Sequence, residues 1–233
     1  MLRAYYNKAS RHATWPGPAD VCRSTIHDID YTDLRRSFGA IDIYLFDQLL
    51  RGNLTPDMRV LDAGCGNGRN LGPLLRLGFE ACATDEDPRA VDAGRRLAAT
   101  LAPRLPKDSF RVEPIERCSF GDGAFDAVVS SAVLHFARDD AHFTAMVDEM
   151  WRVLGRGGIL FCRLASTIGM ADRMRGIEGR RFLLPDGSER YLVDEEHLMT
   201  LTARVGGSLI DPLKTTVVQD QRCMTTWVLR KMG

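Results

Sequence analysis

Arg59-Val60-Leu61-Asp62-Ala63-Gly64-Cys65-Gly66-Asn67-Gly68-Arg69-Asn70 is the stretch that decides the fold. Aliphatic residues and an acid run into three alternate glycines, and Leu71, Leu74, Leu75 and Leu77 follow at helical spacing. That order predicts a strand, a tight turn and a helix start. A turn stripped of Cβ atoms lets the backbone lie against a ligand, with N–H groups at the helix N-terminus available to it. A dinucleotide site needs G-x-G-x-x-G, whose third glycine packs the helix on the strand. Counting from Gly64, that place holds Arg69.

Downstream, Glu80–Thr84 predicts a second strand, ending at Asp85-Glu86-Asp87-Pro88. A helix over Pro88–Thr100 follows, with proline at its start where the missing N–H costs nothing. Phe110–Val112 and Ala124–Ser130 predict strands three and four, and Phe143–Leu154 a helix. Gly155-Arg156-Gly157-Gly158 ends that helix before a fifth strand, Ile159–Leu164. Short apolar strands alternating with helices predict a parallel sheet covered on both faces. Arg180–Val193 predicts a hairpin around Pro185-Asp186-Gly187, and Asp194-Glu195-Glu196 a helix that Gly206-Gly207 stops. Ser208–Val218 and Met224–Arg230 close the chain with no helix between them, so they are expected to pair antiparallel.

Upstream, Ile41–Arg51 predicts a helix leading into strand one, and Asp30–Phe38 a shorter one. Residues 1–40 are expected to form an N-terminal arm or lid over the site, and residues 41–233 the main domain. Trp15-Pro16-Gly17-Pro18 forbids a continuous helix in that arm.

The chain has 233 residues, 45% apolar and 27% charged, which suits one α/β domain. Formal net charge is zero, so no global field draws nucleic acid or an anionic membrane. No apolar run reaches the roughly 18 residues that suggest a membrane span. The first residues lack the apolar core of a secretion signal, which predicts a cytoplasmic protein. Six scattered cysteines form no C-x-x-C pair, so no metal is expected. Oligomeric state is not encoded in these features.

Two acids sharpen the glycine turn. Asp62 stands before it and Asp85 ends strand two, where a carboxylate can accept hydrogen bonds from both hydroxyls of a ribose. With Phe120-Gly121-Asp122-Gly123-Ala124-Phe125-Asp126 and Leu154-Gly155-Arg156-Gly157-Gly158, the order resembles the class I S-adenosylmethionine-dependent methyltransferases over residues 59–165. Within that family, Gly64–Asn70 is similar to the tellurite-resistance methyltransferases. The resemblance implies a Rossmann-like, seven-stranded, mostly parallel sheet with helices on both faces and an antiparallel last strand. It implies S-adenosyl-L-methionine as cofactor and methyl transfer to a small-molecule acceptor through an O, N, S or chalcogen nucleophile. Gly64, Cys65, Gly66, Asn67, Gly68 and Asn70 would hold its methionine and ribose, with Asp62 near the ammonium. Asp85 would take the ribose hydroxyls, Glu86 beside it would also touch the cofactor, and Ser130 and Ser131 would lie under the cofactor. The acid that the family often places after strand three is Pro114 here, leaving Glu113, Glu116 or the backbone of Ile115 for the adenine amino group.

His135, on the carboxyl edge after strand four, is the candidate general base; otherwise it shapes the pocket. Arg163, inside an apolar strand, needs either a structural acid or an anionic substrate. Tyr6, His12 and Trp15 are candidates to close over the acceptor. The alternatives are a module that binds the cofactor or its demethylated product without turnover and, more distantly, a nicotinamide-dependent oxidoreductase.

Overall fold

A computed structural model describes residues 31–232 of the chain. Tyr6, His12, Trp15 and Cys22 lie outside them, as does most of the expected arm. Helix α1 (Tyr31–Phe38) and helix α2 (Ile43–Leu50) precede strand β1 (Arg59–Ala63). The glycine turn leads into α3 (Leu71–Arg76), β2 (Glu80–Asp85), α4 (Pro88–Leu101), β3 (Phe110–Val112) and β4 (Phe125–Ser131). Helix α5 (Asp140–Val153) and β5 (Leu154–Ala165) follow. A small sheet of β6 (Arg175–Glu178), β7 (Arg181–Leu183) and β8 (Glu189–Tyr191) comes before α6 (Glu195–Arg204), β9 (Gly207–Leu209), β10 (Lys214–Val218) and β11 (Arg222–Lys231).

The main sheet runs β10-β11-β5-β4-β1-β2-β3, with β9 also on β11. Strands β1 to β5 are parallel, and β11 is antiparallel to β5, β9 and β10. The expected mostly parallel sheet with an antiparallel last strand is therefore present. Both faces of the central strands are buried, which is why those strands are nearly all apolar. Leu45 of α2, Leu71, Leu74 and Leu75 of α3 and Val91 of α4 pack on Val60, Ala81, Val129 and Phe161. On the other face, Phe143, Val147 and Met150 of α5 and Leu198 of α6 meet Leu61, Val128, Leu160 and Trp227.

Three of the expected elements are arranged differently in the fold. Gly155–Gly158 extend β5 instead of standing between helix and strand, at a register shift that leaves Phe125 opposite Leu154 and Ala127 opposite Ile159. The segment Ser208–Val218 breaks into β9 and β10 around Pro212, which has no N–H for a ladder. There Asp211 turns inward to Arg51 (2.6 Å) and Gln48 (2.9 Å). The expected hairpin gains β6 as a third strand, whose four exposed residues carry no alternating pattern. Among the described residues, no helix is long and apolar enough to cross a membrane.

Candidate functional site

The chain reverses its direction of winding between β1 and β4, and parallel sheets leave a crevice at such a point, at the strands' carboxyl ends. A cleft of about 470 Å³ opens there, lined by the glycine turn, the end of β2, the loop after β3 and the segment after β4. Gly64 (φ +82°), Gly66 (φ +51°) and Gly68 (φ +78°) all occupy the left-handed region. A Cβ on Gly64 would stand 2.6 Å from Val133 Cγ2, so packing keeps that position bare. A Cβ on Gly66 would meet nothing within 4 Å, and Gly66 lines the cleft. That glycine leaves room for something other than protein.

The turn does not offer its amides in the way an anion site would. Gly64 N and Cys65 N donate to Thr84 O (2.9 and 3.0 Å), and Gly68 N donates to Cys65 O (2.9 Å). Gly66 N donates to Asp85 Oδ2 (2.9 Å). The expectation of free N–H groups is thus corrected for these four, and a pyrophosphate loses its usual donors. Asp85 Oδ1 accepts from Asp87 N (3.0 Å), while the cap of α4 is Asp87, which accepts from Arg89 N (2.9 Å). Asp85 is therefore not the helix cap. It is held at the cleft wall beside Glu86.

Asp62 lies one layer below the cleft lining and is buried, and its Oδ2 has no partner among the described residues. Burial raises its carboxyl to about 7; nearby Arg69 counteracts this and Asp85 adds to it. A buried acceptor without a donor beneath such a turn suits an added ammonium. The sign of its stability effect follows. Below about pH 4 the group is protonated in both states, and between about 4 and 7 only the unfolded chain ionises. Its contribution to stability therefore falls as pH rises through that window and then levels off. Asp62→Asn is expected to flatten that decline by on the order of 2 kcal/mol. Urea midpoints of the ligand-free proteins from pH 4.5 to 7.5 check this, and parallel curves for the two would refute it.

The loop after β3 brings Pro114, Ile115 and Glu116 to the cleft. Glu113 is turned away: it accepts from Ser119 N (2.8 Å) and Ser119 Oγ, closing the loop on itself. Of the acids left open for this end, Glu116 is the one at the cleft. His142 Nδ1 accepts from Arg138 N (3.1 Å), so the neutral ring carries its proton on Nε2. That nitrogen stands 3.1 Å from Glu116 Oε1, off the line of a hydrogen bond. His142, on α5, also lines the cleft, although nothing in the sequence marked it.

Asn67, Asn70 and Ser131 line the cleft, whereas Gly68 and Ser130 do not. Ser130 is buried on the α5 side of the sheet with an unpartnered Oγ. Arg163 has its structural acid: Nη1 donates to Asp42 Oδ2 (3.2 Å), and the guanidinium lies 5.4 Å from the Tyr44 ring centre. Asp42 was not legible as part of a site, because an acid before an apolar helix signals only a cap.

His135 is buried, outside the cleft lining, with Nδ1 accepting from Ala165 N (3.4 Å). Burial, reinforced by Arg190, Arg163 and Arg222, lowers its pKa to about 4. It is neutral at pH 7 and a weak base. Phe136 beside it lines the cleft, 58% exposed, with the Arg190 guanidinium 4.8 Å from its ring centre. Ala132, also in the lining, is left-handed at φ +65° and donates its N–H to Arg163 O (2.7 Å). A non-glycine residue in that region is strained by about 1–3 kcal/mol and often marks a functional site. Nothing in the local sequence announces it.

Residues 61–162 match the family described as methyltransferase domain. A ubiquinone biosynthesis O-methyltransferase of Methylocella silvestris is 36% identical over 104 residues, which are 45% of this chain and 38% of that protein. The chain thus spans well under half the length of that curated relative. Among solved structures, a SAM-dependent methyltransferase of Methanosarcina mazei superposes with a TM-score of 0.65 at 21% identity, over 79% of this chain and 97% of that one. The 1,6-didemethyltoxoflavin-N1-methyltransferase of Burkholderia thailandensis, solved with 1,6-didemethyltoxoflavin and S-adenosylhomocysteine, gives 0.64 at 17% identity, over 87% and 82%. These likenesses show the Rossmann-like methyltransferase fold.

Proposed function

We propose that this chain is a class I S-adenosylmethionine-dependent methyltransferase that moves a methyl group onto a hydroxyl of a small aromatic acceptor. The observation that carries the cofactor is Asp85, bonded to Gly66 N across a cleft whose floor glycine faces empty space. The unpartnered Asp62 Oδ2 beneath it fits the cofactor's ammonium, and the four internally bonded turn amides fit a nucleoside better than a pyrophosphate.

In this reading Asp85 and Glu86 take the ribose hydroxyls, and Ile115 and Glu116 meet the adenine. Gly64, Cys65, Gly66 and Asn67 face the methionine and ribose, with Asn70 and Ser131 at the wall. When bound, the cofactor would supply an electrophilic methyl group, and the acceptor hydroxyl would lose its proton to solvent as the new bond forms. What the chain supplies is alignment in a cleft partly closed to water, where effective molarities of about 10⁵–10⁸ M are attainable. His135, neutral and set behind Phe136, supports the acceptor side by packing. The hydroxyl acceptor is favoured by the likeness to ubiquinone biosynthesis O-methyltransferases and by Phe136 at the rim, which offers a ring face for stacking. The likeness of Gly64–Asn70 to tellurite-resistance enzymes keeps a chalcogen oxyanion as the second acceptor.

The test is a panel of catechols, simple phenols, amines, thiols, selenite and tellurite, incubated with S-adenosylmethionine. Methylated product is read by mass spectrometry, alongside calorimetry with S-adenosylhomocysteine and NAD. A methylated catechol or phenol is the expected product. Binding of S-adenosylhomocysteine without turnover of any acceptor favours the non-catalytic module, and a preference for NAD overturns the proposal.

A further inference from the structure

Asp42 is a buried carboxylate that the proposed function leaves unused. It lies outside the segment 61–162 that matches the methyltransferase domain. Its side chain has no exposed surface. Oδ1 caps α2 by accepting from Tyr44 N (3.0 Å). Oδ2 accepts from three donors: Ser131 Oγ (2.9 Å), Arg69 Nη2 (3.0 Å) and Arg163 Nη1 (3.2 Å). Its own backbone N–H donates to Asn70 Oδ1 (2.9 Å). Arg69 Nη2 also reaches Ser131 Oγ (2.8 Å), closing a ring of contacts.

These partners belong to the glycine turn, the end of β4 and β5, three segments that meet only in the folded chain. Arg69, Asn70 and Ser131 line the cleft. Capping α2 requires one oxygen, which serine or asparagine supplies equally well. The second oxygen does something a neutral cap cannot: it sets a negative charge against two guanidiniums. Arg69 and Arg163 bring two positive charges to the carboxyl edge, against Asp42 and the buried Asp62. Without Asp42 that corner is one charge more positive, where the proposed cofactor brings a sulfonium.

We propose that Asp42 is a positioning residue that tunes the cleft for a cationic cofactor. It holds the Arg69–Ser131 pair in place and offsets one of the two arginine charges, so that S-adenosylmethionine is not disfavoured against its neutral product, S-adenosylhomocysteine. The inference rests on the function proposed above. The two ligands differ by one charge and one methyl group, so their affinity ratio reports the local field. Loosening of the fold weakens both alike and leaves the ratio in place. One unit of charge at the cleft wall is expected to move that ratio by about tenfold.

The experiment is calorimetry of S-adenosylmethionine and S-adenosylhomocysteine with the wild-type chain, Asp42→Asn and Asp42→Asn/Arg163→Met. Asp42→Asn is expected to weaken the cofactor about tenfold more than the product, and the added Arg163→Met to restore the ratio by removing the surplus charge. Arg163→Met alone is expected to shift the ratio the other way, towards the cofactor. That arm decides the matter if Asp42→Asn does not fold. Equal weakening of both ligands in Asp42→Asn, or an unmoved ratio in Arg163→Met, overturns the inference while the cofactor assignment stands. Failure of the wild-type chain to bind either ligand overturns both.

Discussion

Asp85→Ala is expected to weaken S-adenosylhomocysteine binding by about 100-fold or more, from the loss of two charge-assisted hydrogen bonds worth about 1.5–3 kcal/mol each. The carboxylate ends β2 with one bond on each oxygen, from Gly66 N (2.9 Å) and Asp87 N (3.0 Å). Each oxygen keeps a further lone pair for a ribose hydroxyl. Removing the side chain therefore costs the ligand contacts and also frees the turn that faces the ligand. Asp85→Asn keeps one acceptor oxygen but loses the charge, so its loss should be smaller, about tenfold. Calorimetry separates the two, with a urea midpoint on each variant to show that it folds. An affinity unchanged in Asp85→Ala would remove this residue from the ribose site.

Gly64→Ala acts on the same turn through packing. Its φ of +82° strains any L side chain by about 1–2 kcal/mol. The new methyl would lie 2.6 and 2.8 Å from the two γ-carbons of Val133, and overpacking of this kind costs about 1–3 kcal/mol. Together the loss is about 2–5 kcal/mol, a large share of the roughly 5–15 kcal/mol typical of a domain. A second change, Val133→Ala, relieves the overlap and leaves the backbone strain, so the pair should be less destabilising than the sum of its members. Strict additivity in urea unfolding would mean that Val133 is not the obstacle. Gly66→Ala provides the contrast: with φ +51° and nothing within 4 Å, it should cost about 1–2 kcal/mol of stability while obstructing the ligand. If Gly66→Ala binds S-adenosylhomocysteine as tightly as wild type, the ligand does not approach that face.

The parts that were legible from sequence are those whose signals are local. Strand, glycine turn and helix lie within twenty residues of one another, so apolar periodicity and bare backbone positions mark them directly. The acid at the end of β2 is similarly legible, because a strand's end is visible in its composition. The break at Pro212 was visible as a residue but not as a turn, since its use depends on Asp211 finding Arg51 across the domain. Glu113 and Glu116 are chemically alike and three residues apart; only the bonds from Ser119 separate them.

The sequence by itself determined the order of elements from β1 to β5, the mostly parallel sheet with its antiparallel last strand, and the glycine turn with Asp85 opposite it. Periodicity and turn chemistry act over a few residues, and they sufficed for these. The tertiary structure alone decided which charges meet. Asp42 and Arg163 are 121 residues apart and Asp42 and Ser131 89 apart, yet they share one carboxylate oxygen. Local sequence carries no trace of such a pairing, because only the fold brings the start of α2 to Ser131 at the end of β4 and Arg163 in β5. An arginine set in an apolar strand must find an acid, and only the fold says which one.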